Sequence, residues 1–265
     1  MGIDLNLHNK VVIISGASQG IGKESAIEMA AEGANLFLSS RSEIDLNKFS
    51  KILKNEYKIE IDYLAADLKT QDTAKKIVSK CISKFGKVDI LINSAGSAQG
   101  GLFWEIPDEV WENAYELKLM GTVRLLREVI PIMRKQKYGR IVNVVGDSGK
   151  QPNPLMLPGS SVNAALLSIT KGLADSIGDC GIAINAVNPG PTQTDRIETL
   201  FKNLSKSLNK TQEEIKKSFM KDSPLNSIGD PKDIAKLILF LASDASENIT
   251  GTSITSDGGR SRSIF

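Results

Sequence analysis

A short apolar run, Val11–Ile14, is followed at once by Gly16-Ala17-Ser18-Gln19-Gly20-Ile21-Gly22 and then by a helix-length segment reaching Glu32. No other feature of this 265-residue chain restricts its fold so tightly. Gly16 permits a tight turn straight out of a strand, and Gly20 and Gly22 let the backbone approach a neighbouring group without a Cβ in the way. A helix that begins on such a turn presents unpaired N–H groups and the positive end of its dipole, which together suit an anion. Scattered glycines carry little weight alone. Here the strand before, the helix after and the place in a first strand–helix–strand unit predict that the anion is the pyrophosphate of a dinucleotide. A glycine-rich loop with no ligand is the competing reading.

The rest of the chain repeats the same alternation. Strand candidates are Val11–Ile14, Asn35–Leu38, Ile59–Ala65, Asp89–Ile92, Arg140–Val145 and Ala183–Val187, with a late one near Thr252–Thr255. Several are almost wholly apolar, as strands covered on both faces must be. Helix-length segments lie between them, at Gly22–Glu32, Asp72–Phe85, Asp108–Arg134, Ala164–Ile177 and Asp233–Leu241, and Pro107 and Pro231 mark two of the starts. Alternation of this kind predicts an α/β, doubly wound Rossmann-type fold: a parallel sheet of about seven strands with helices on both faces. No linker composition divides the chain, so one domain over 1–265 is expected, with an insertion at about 195–225.

Composition removes other classes of function. The net charge of +2 is too small to argue for nucleic acid or an acidic membrane surface. No apolar stretch approaches the length of a membrane span or a secretory signal. The two cysteines, Cys81 and Cys180, form no CxxC pair and no disulfide framework, so a reducing cytoplasm is the expected location. His8 is the only histidine, which excludes a histidine-rich metal site and argues against a serine–histidine triad.

The second strand runs out as Leu38-Ser39-Ser40-Arg41-Ser42. An acidic residue here would hydrogen-bond a ribose 2′-hydroxyl, whereas a guanidinium pairs with a 2′-phosphate, so NADP(H) is expected in preference to NAD(H). Arg41 as a solvated loop residue is the alternative.

With these features in place the chain resembles a short-chain dehydrogenase/reductase over nearly its full length. Asp67-Leu68 is similar to the family's adenine-contacting pair. The run from Lys87 through Asn93-Ser94-Ala95-Gly96 resembles its "VDILINNAG" strand and turn. Asn188-Pro189-Gly190-Pro191-Thr192-Gln193-Thr194 resembles the "NPGxxxT" loop that holds the nicotinamide carboxamide, and Ile249-Thr250-Gly251 with Asp257-Gly258-Gly259 resembles the C-terminal signature. The resemblance implies that Gly16, Ser18, Gln19, Gly20, Ile21, Gly22, Arg41, Asp67, Leu68, Asn93, Ala95, Gly96, Pro189, Gly190, Thr192 and Thr194 bind the cofactor. It also implies a homo-oligomer, dimer or tetramer, packed through the two long helices, and a small-molecule substrate.

The family's chemistry rests on an asparagine, a serine, a tyrosine and a lysine, and this chain departs from all four. Gly146 stands at the serine, Gly159 at the tyrosine, Asn163 at the lysine and Lys118 at the asparagine. Lysine and asparagine have changed places, so if positions 118 and 163 meet as in the family, one ammonium is retained near the same spot. Coincidence, with Lys118 merely snorkelling to the surface, is the other reading. A phenol of pKa about 10 needs a nearby cation to act near neutrality, and Tyr115, three residues before Lys118 on a helix, could restore that pairing. Tyr115 could equally be a core or interface aromatic. Asp147 beside Ser148 is a second candidate couple, with turn capping as its plain alternative, and Ser160 and Ser161 lie close by.

Three functions follow as expectations. One is an oxidoreductase on a carbonyl, alcohol or enone through a non-standard relay of Lys118, Asn163, Asp147, Ser148 and Tyr115. Another is a lyase, hydratase or isomerase using Lys118 or Asp147, and the third is a non-catalytic NADP(H)-binding regulator. The insertion carries Lys202, Lys206, Lys210, Lys216, Lys217 and Lys221, read here as a solvated face rather than a trap for an anionic substrate.

Overall fold

The structure, a computed structural model, describes residues 4–96 and 99–263, without the side chains of Arg196, Lys206 and Ser207. Seven parallel strands form one sheet in the order β3-β2-β1-β4-β5-β6-β7. They are β1 (Val11–Ser15), β2 (Asn35–Ser40), β3 (Ile61–Ala65), β4 (Ile90–Asn93), β5 (Gly139–Val144), β6 (Ile182–Pro189) and β7 (Ser253–Ser256). Strand order reverses between β1 and β4, and the crevice beyond the carboxyl ends of the strands at that reversal is where such sheets bind ligands.

Both faces are covered, which is why the strands read as continuous apolar runs. In β1, Val12 and Ile14 join the core beneath α1 (Gly20–Ala31), α2 (Glu43–Tyr57) and α9 (Pro231–Leu241). Val11 and Ile13 point the other way, into the core beneath α3 (Thr73–Phe85), α5 (Gly121–Gln136) and α6 (Leu157–Ile177). Each of these four residues is essentially inaccessible, and truncating one such isoleucine to alanine typically costs about 2–5 kcal/mol.

Four elements depart from the sequence reading. α2 fills 43–57, where the sequence reading has no element; Ser42 caps it by accepting from the Asp45 N–H, and Leu46, Phe49 and Leu53 pack it inward. α6 starts at Leu157, not Ala164, so Gly159 and Asn163 are helical residues. The expected helix Asp108–Arg134 is three pieces: α4 (Asp108–Ala114), a π-helical turn Tyr115–Met120, and α5. The insertion folds into α7 (Asp195–Leu208) and α8 (Gln212–Lys221), which share a small core of Ile197, Phe201 and Ile215. Its two ends are tied where Gln193 N–H donates to the Gly229 carbonyl and Gly229 N–H to the Pro191 carbonyl. Among the described residues, no helix is long and apolar enough to cross a membrane.

Candidate active site

The crevice is built from the glycine turn outward. An added Cβ at Gly22 would lie 2.3 Å from the Gly16 carbonyl oxygen, and one at Gly16, where φ is +71°, would lie 2.8 Å from the Ala95 backbone. Only glycine lets the β1–α1 turn fold this tightly against Ser94-Ala95-Gly96. α1 then begins with no side-chain cap and no acidic residue in its first turn, so its leading N–H groups and positive dipole end stay available. Thr194 from the loop after β6 faces this turn, its methyl 3.2 Å from where a Gly20 Cβ would be. Ser18, Gln19 and Ile21 complete the turn on one side, and Pro189, Gly190 and Thr192 the loop on the other.

At the carboxyl end of β2 the hydroxyls of Ser39 and Ser40 are buried with no hydrogen-bond partner, an arrangement that disfavours the protein alone and favours a ligand with polar groups there. Arg41 follows, exposed. The Ala66 N–H donates to the Ser40 carbonyl, bringing Asp67 and the buried Leu68 to the same rim. The glycine cradle, the uncapped helix and the orphaned hydroxyls fit a phosphorylated dinucleotide. Asn93 is placed differently from the other residues expected to hold it. Its side-chain amide donates to Asn143 Oδ1, and Asn143 in turn donates to Thr170 Oγ1 on α6, both at 2.9 Å, so it ties β4, β5 and α6 together.

Next to this crevice the structure brings together Lys118 and Asn163. Lys118 is only 9% exposed. Its ammonium donates to the Val145 carbonyl at the end of β5 and to Asn163 Oδ1, the latter at 2.7 Å. Asn163 Nδ2 donates onward to Ser148 Oγ at 2.9 Å. Lys118 reaches this point by passing over Gly96, where a Cβ would lie 2.9 Å from its Cδ. Gly146 has φ +135°, and a Cβ there would meet Asn163 Nδ2 at 2.8 Å. The space beside position 146 is therefore filled by Asn163, and the nearest hydroxyl on the chain of bonds is Ser148.

Asp147 and Ser148 lie on a short 3-10 turn, Asp147–Gly149. Burial pushes the Asp147 carboxyl above its usual range, opposed by the Arg260 guanidinium and by the Ser148 N–H, while the Asp257 charge adds to the rise. Ser160 and Ser161 do not join the site: their hydroxyls donate to the Met156 and Pro158 carbonyls of the first turn of α6.

Tyr115 corrects the sequence reading. A π-helical turn winds more residues per turn than an α-helix, so a three-residue step no longer returns to the same face. Tyr115 is 38% exposed, in a surface hollow with Trp111, Glu112 and Glu116, while Lys118 is buried. The phenol and the ammonium do not share a face. Two partners of Lys118, the Val145 carbonyl and the passage over Gly96, carry no sequence signature.

A seven-stranded parallel sheet with this strand order, a glycine cradle at its reversal and an NPG loop opposite defines a short-chain dehydrogenase/reductase, and the chain belongs to that family. Residues 16–261 match the family model described as enoyl-(acyl carrier protein) reductase. The uncharacterized oxidoreductase YvaG of Bacillus subtilis is 32% identical over 266 residues, covering 98% of this chain and 99% of that one. A 3-oxoacyl-[acyl-carrier-protein] reductase FabG of Thermotoga maritima is 31% identical over 255 residues, covering 96% of this chain and 99% of the relative. L-sorbose reductase from Gluconobacter frateurii, solved with NADPH and L-sorbose, superposes with a TM-score of 0.93 at 29% identity over 99% of this chain and all of that one.

Proposed function

We propose that this protein is an NADP(H)-dependent reductase that converts a carbonyl of a small molecule to an alcohol, with Lys118, Asn163 and Ser148 in the place of the family's tyrosine and lysine. The observation that carries the reading is the continuous hydrogen-bonded chain from the Lys118 ammonium through the Asn163 amide to the Ser148 hydroxyl. Ser18, Gln19, Gly20, Ile21 and Gly22 would hold the pyrophosphate, Arg41 the 2′-phosphate, and the Pro189–Thr194 loop the nicotinamide. Bound there, the reduced cofactor supplies a hydride to the carbonyl carbon.

The chain's own residues then have to manage the proton. Ser148 Oγ already accepts from Asn163 Nδ2, so its own proton is left to donate to the substrate oxygen. As that proton leaves, the charge on Oγ is stabilised by the Asn163 N–H, which the buried Lys118 ammonium polarises from behind. Asp147, half-buried and pushed toward its protonated form, with its carboxyl accepting from the Ser148 backbone N–H, is the neighbouring acid proposed to return a proton to Ser148. Proton transfer of this kind contributes about 10²–10⁴-fold to rate. The relatives are reductases, one solved with NADPH, which supports this reading over a lyase, hydratase or isomerase and over a protein that only binds the cofactor.

Two further parts of the proposal concern the whole protein: a single domain in which α7–α8 acts as a lid, and residence in the cytoplasm as a homo-oligomer. The test of function is NADPH oxidation by the purified chain across a panel of ketones, aldehydes and enones. The expected result is turnover with one or more carbonyl substrates and weaker activity with NADH. Tight NADPH binding with no turnover on any member would count decisively against an enzyme.

A further inference from the structure

The segment after β7 is built into two parts of the molecule at once. Asp257 sits under Gly190, where an added Cβ would lie 2.6 Å from the Asp257 Cβ. Its carboxylate accepts from the Gly259 N–H at 2.9 Å and the Ser261 N–H at 2.7 Å, which fixes the turn. On one side this turn grips the end of α8. The Gly258 carbonyl accepts from Ser223 Oγ at 2.9 Å and from the Leu225 N–H at 3.3 Å. The Arg260 guanidinium lies over the Phe219 ring, 4.9 Å from its centroid, and 3.5 Å from the Asp222 carboxylate.

On its other side the same segment meets the loop after β5. The Arg262 N–H donates to Gln151 Oε1 at 2.8 Å, and Lys150 Nζ donates to the Ser253 carbonyl of β7 at 3.0 Å. The Arg260 charge also opposes the rise of the Asp147 carboxyl.

We propose that residues 257–262 form a strap coupling the α7–α8 pair to the Asp147–Gln151 turn, with Arg260 as the positioning residue between them. The inference rests on the reading above only in taking that turn as a wall of the substrate site. An arginine suits the place because its planar guanidinium stacks on an aromatic face while its edge reaches a carboxylate, which an ammonium cannot do at once. The half-exposed Asp222 pair alone would hold little; the stack and the two bonds to the Gly258 carbonyl make the grip. Movement of α8 away from the sheet would then pull on Asp147 and Ser148, and its closure would set them.

The test uses the full chain and hydrogen exchange read by mass spectrometry, with NADPH affinity measured by fluorescence alongside. Arg260→Ala is expected to speed exchange in two regions far apart in sequence, 212–225 and 147–156. Arg260→Lys, which keeps the charge and loses the stack, is expected to restore protection at 147–156 more than at 212–225. Phe219→Ala gives an independent variant should Arg260→Ala fail to fold, and is expected to loosen both regions. Where turnover is measurable, Arg260→Ala lowers kcat about tenfold or more with NADPH affinity little changed. Faster exchange confined to 212–225 in both alanine variants would overturn the strap. Exchange is read without substrate, so a wild-type protein that turns nothing over would sink the reductase reading and leave this result to be judged separately.

Discussion

Asn163 makes both of the contacts that its amide can direct into the site, accepting from Lys118 at 2.7 Å and donating to Ser148 at 2.9 Å. A lysine at 163 with Lys118 unchanged would set two ammoniums against each other in a buried place, and an asparagine at 118 alone would leave the Val145 carbonyl without this donor. Each single exchange is therefore expected to destabilise the protein, while Lys118→Asn combined with Asn163→Lys recovers part of the loss. Urea unfolding of the four proteins should give a coupling energy of about 0.5–3 kcal/mol. Additive single effects would mean that the two positions do not act as a pair. Gly146 belongs to the same unit, because its φ of +135° and the nearness of Asn163 leave no room for a side chain. A glycine at 146 thus has a physical reason in the asparagine at 163, whereas the structure gives no account of Gly159.

The segment Asp108–Arg134 shows how an element changes what its residues can do. Its apolar pattern reads as one helix, but the π-turn Tyr115–Met120 rotates Lys118 inward and leaves Tyr115 outside. Helix periodicity cannot reveal such a turn, since it depends on i→i+5 bonding selected by the surrounding packing. α2 is missing from the sequence reading although its signals were present: Ser42 is a good cap and Leu46, Phe49, Ser50 and Leu53 follow helical spacing. At the opposite end of the sheet, Asp244 in the turn after α9 fastens several elements. It pairs with Arg140 of β5 at 3.0 Å and accepts from Tyr138 at 2.9 Å and Asn6 at 2.6 Å. Burial raises its carboxyl, but the bonds from Tyr138 and Asn6 and the charges of Lys10 and Arg140 outweigh it and hold the group below its usual 3.8. A carboxyl lowered on folding stabilises the native state above its unfolded pKa and loses that contribution as the pH falls through the folded value. Asp244→Asn should therefore be less stable than wild type near neutrality, with the difference narrowing as urea midpoints are followed from about pH 6 to about pH 3. A constant difference across that range would show that the carboxylate charge is not what matters.

For the whole molecule, the sequence carried the architecture further than the chemistry. Continuous apolar strands and the Gly16–Gly22 turn placed the sheet and the crevice at its reversal, because those depend on local pattern and burial. The meeting of Lys118, Asn163 and Ser148 depends on three elements converging, and only the resemblance gave a hint of it. Of the strap around Arg260, only Asp257-Gly258-Gly259 stood out in the sequence; its contacts, made of backbone carbonyls and single side chains from distant segments, left no trace in the pattern. Among the described residues, the groove between α5 and α6 is apolar, lined by Val123, Ile130, Pro131, Ile169 and Leu173 above the buried Leu126. Burying it against a second copy is the route proposed for assembly. Light scattering should then report a dimer or tetramer, and Leu173→Glu a smaller species of unchanged fold. A wild-type monomer would contradict that route.

The proposed reaction turns most directly on Ser148. Single-turnover oxidation of bound NADPH by the best carbonyl substrate isolates the chemical step from binding and release. Ser148→Ala is predicted to slow that step about 10²–10⁴-fold while NADPH affinity and thermal stability stay close to wild type. A rate equal to that of wild type would contradict the Lys118–Asn163–Ser148 relay.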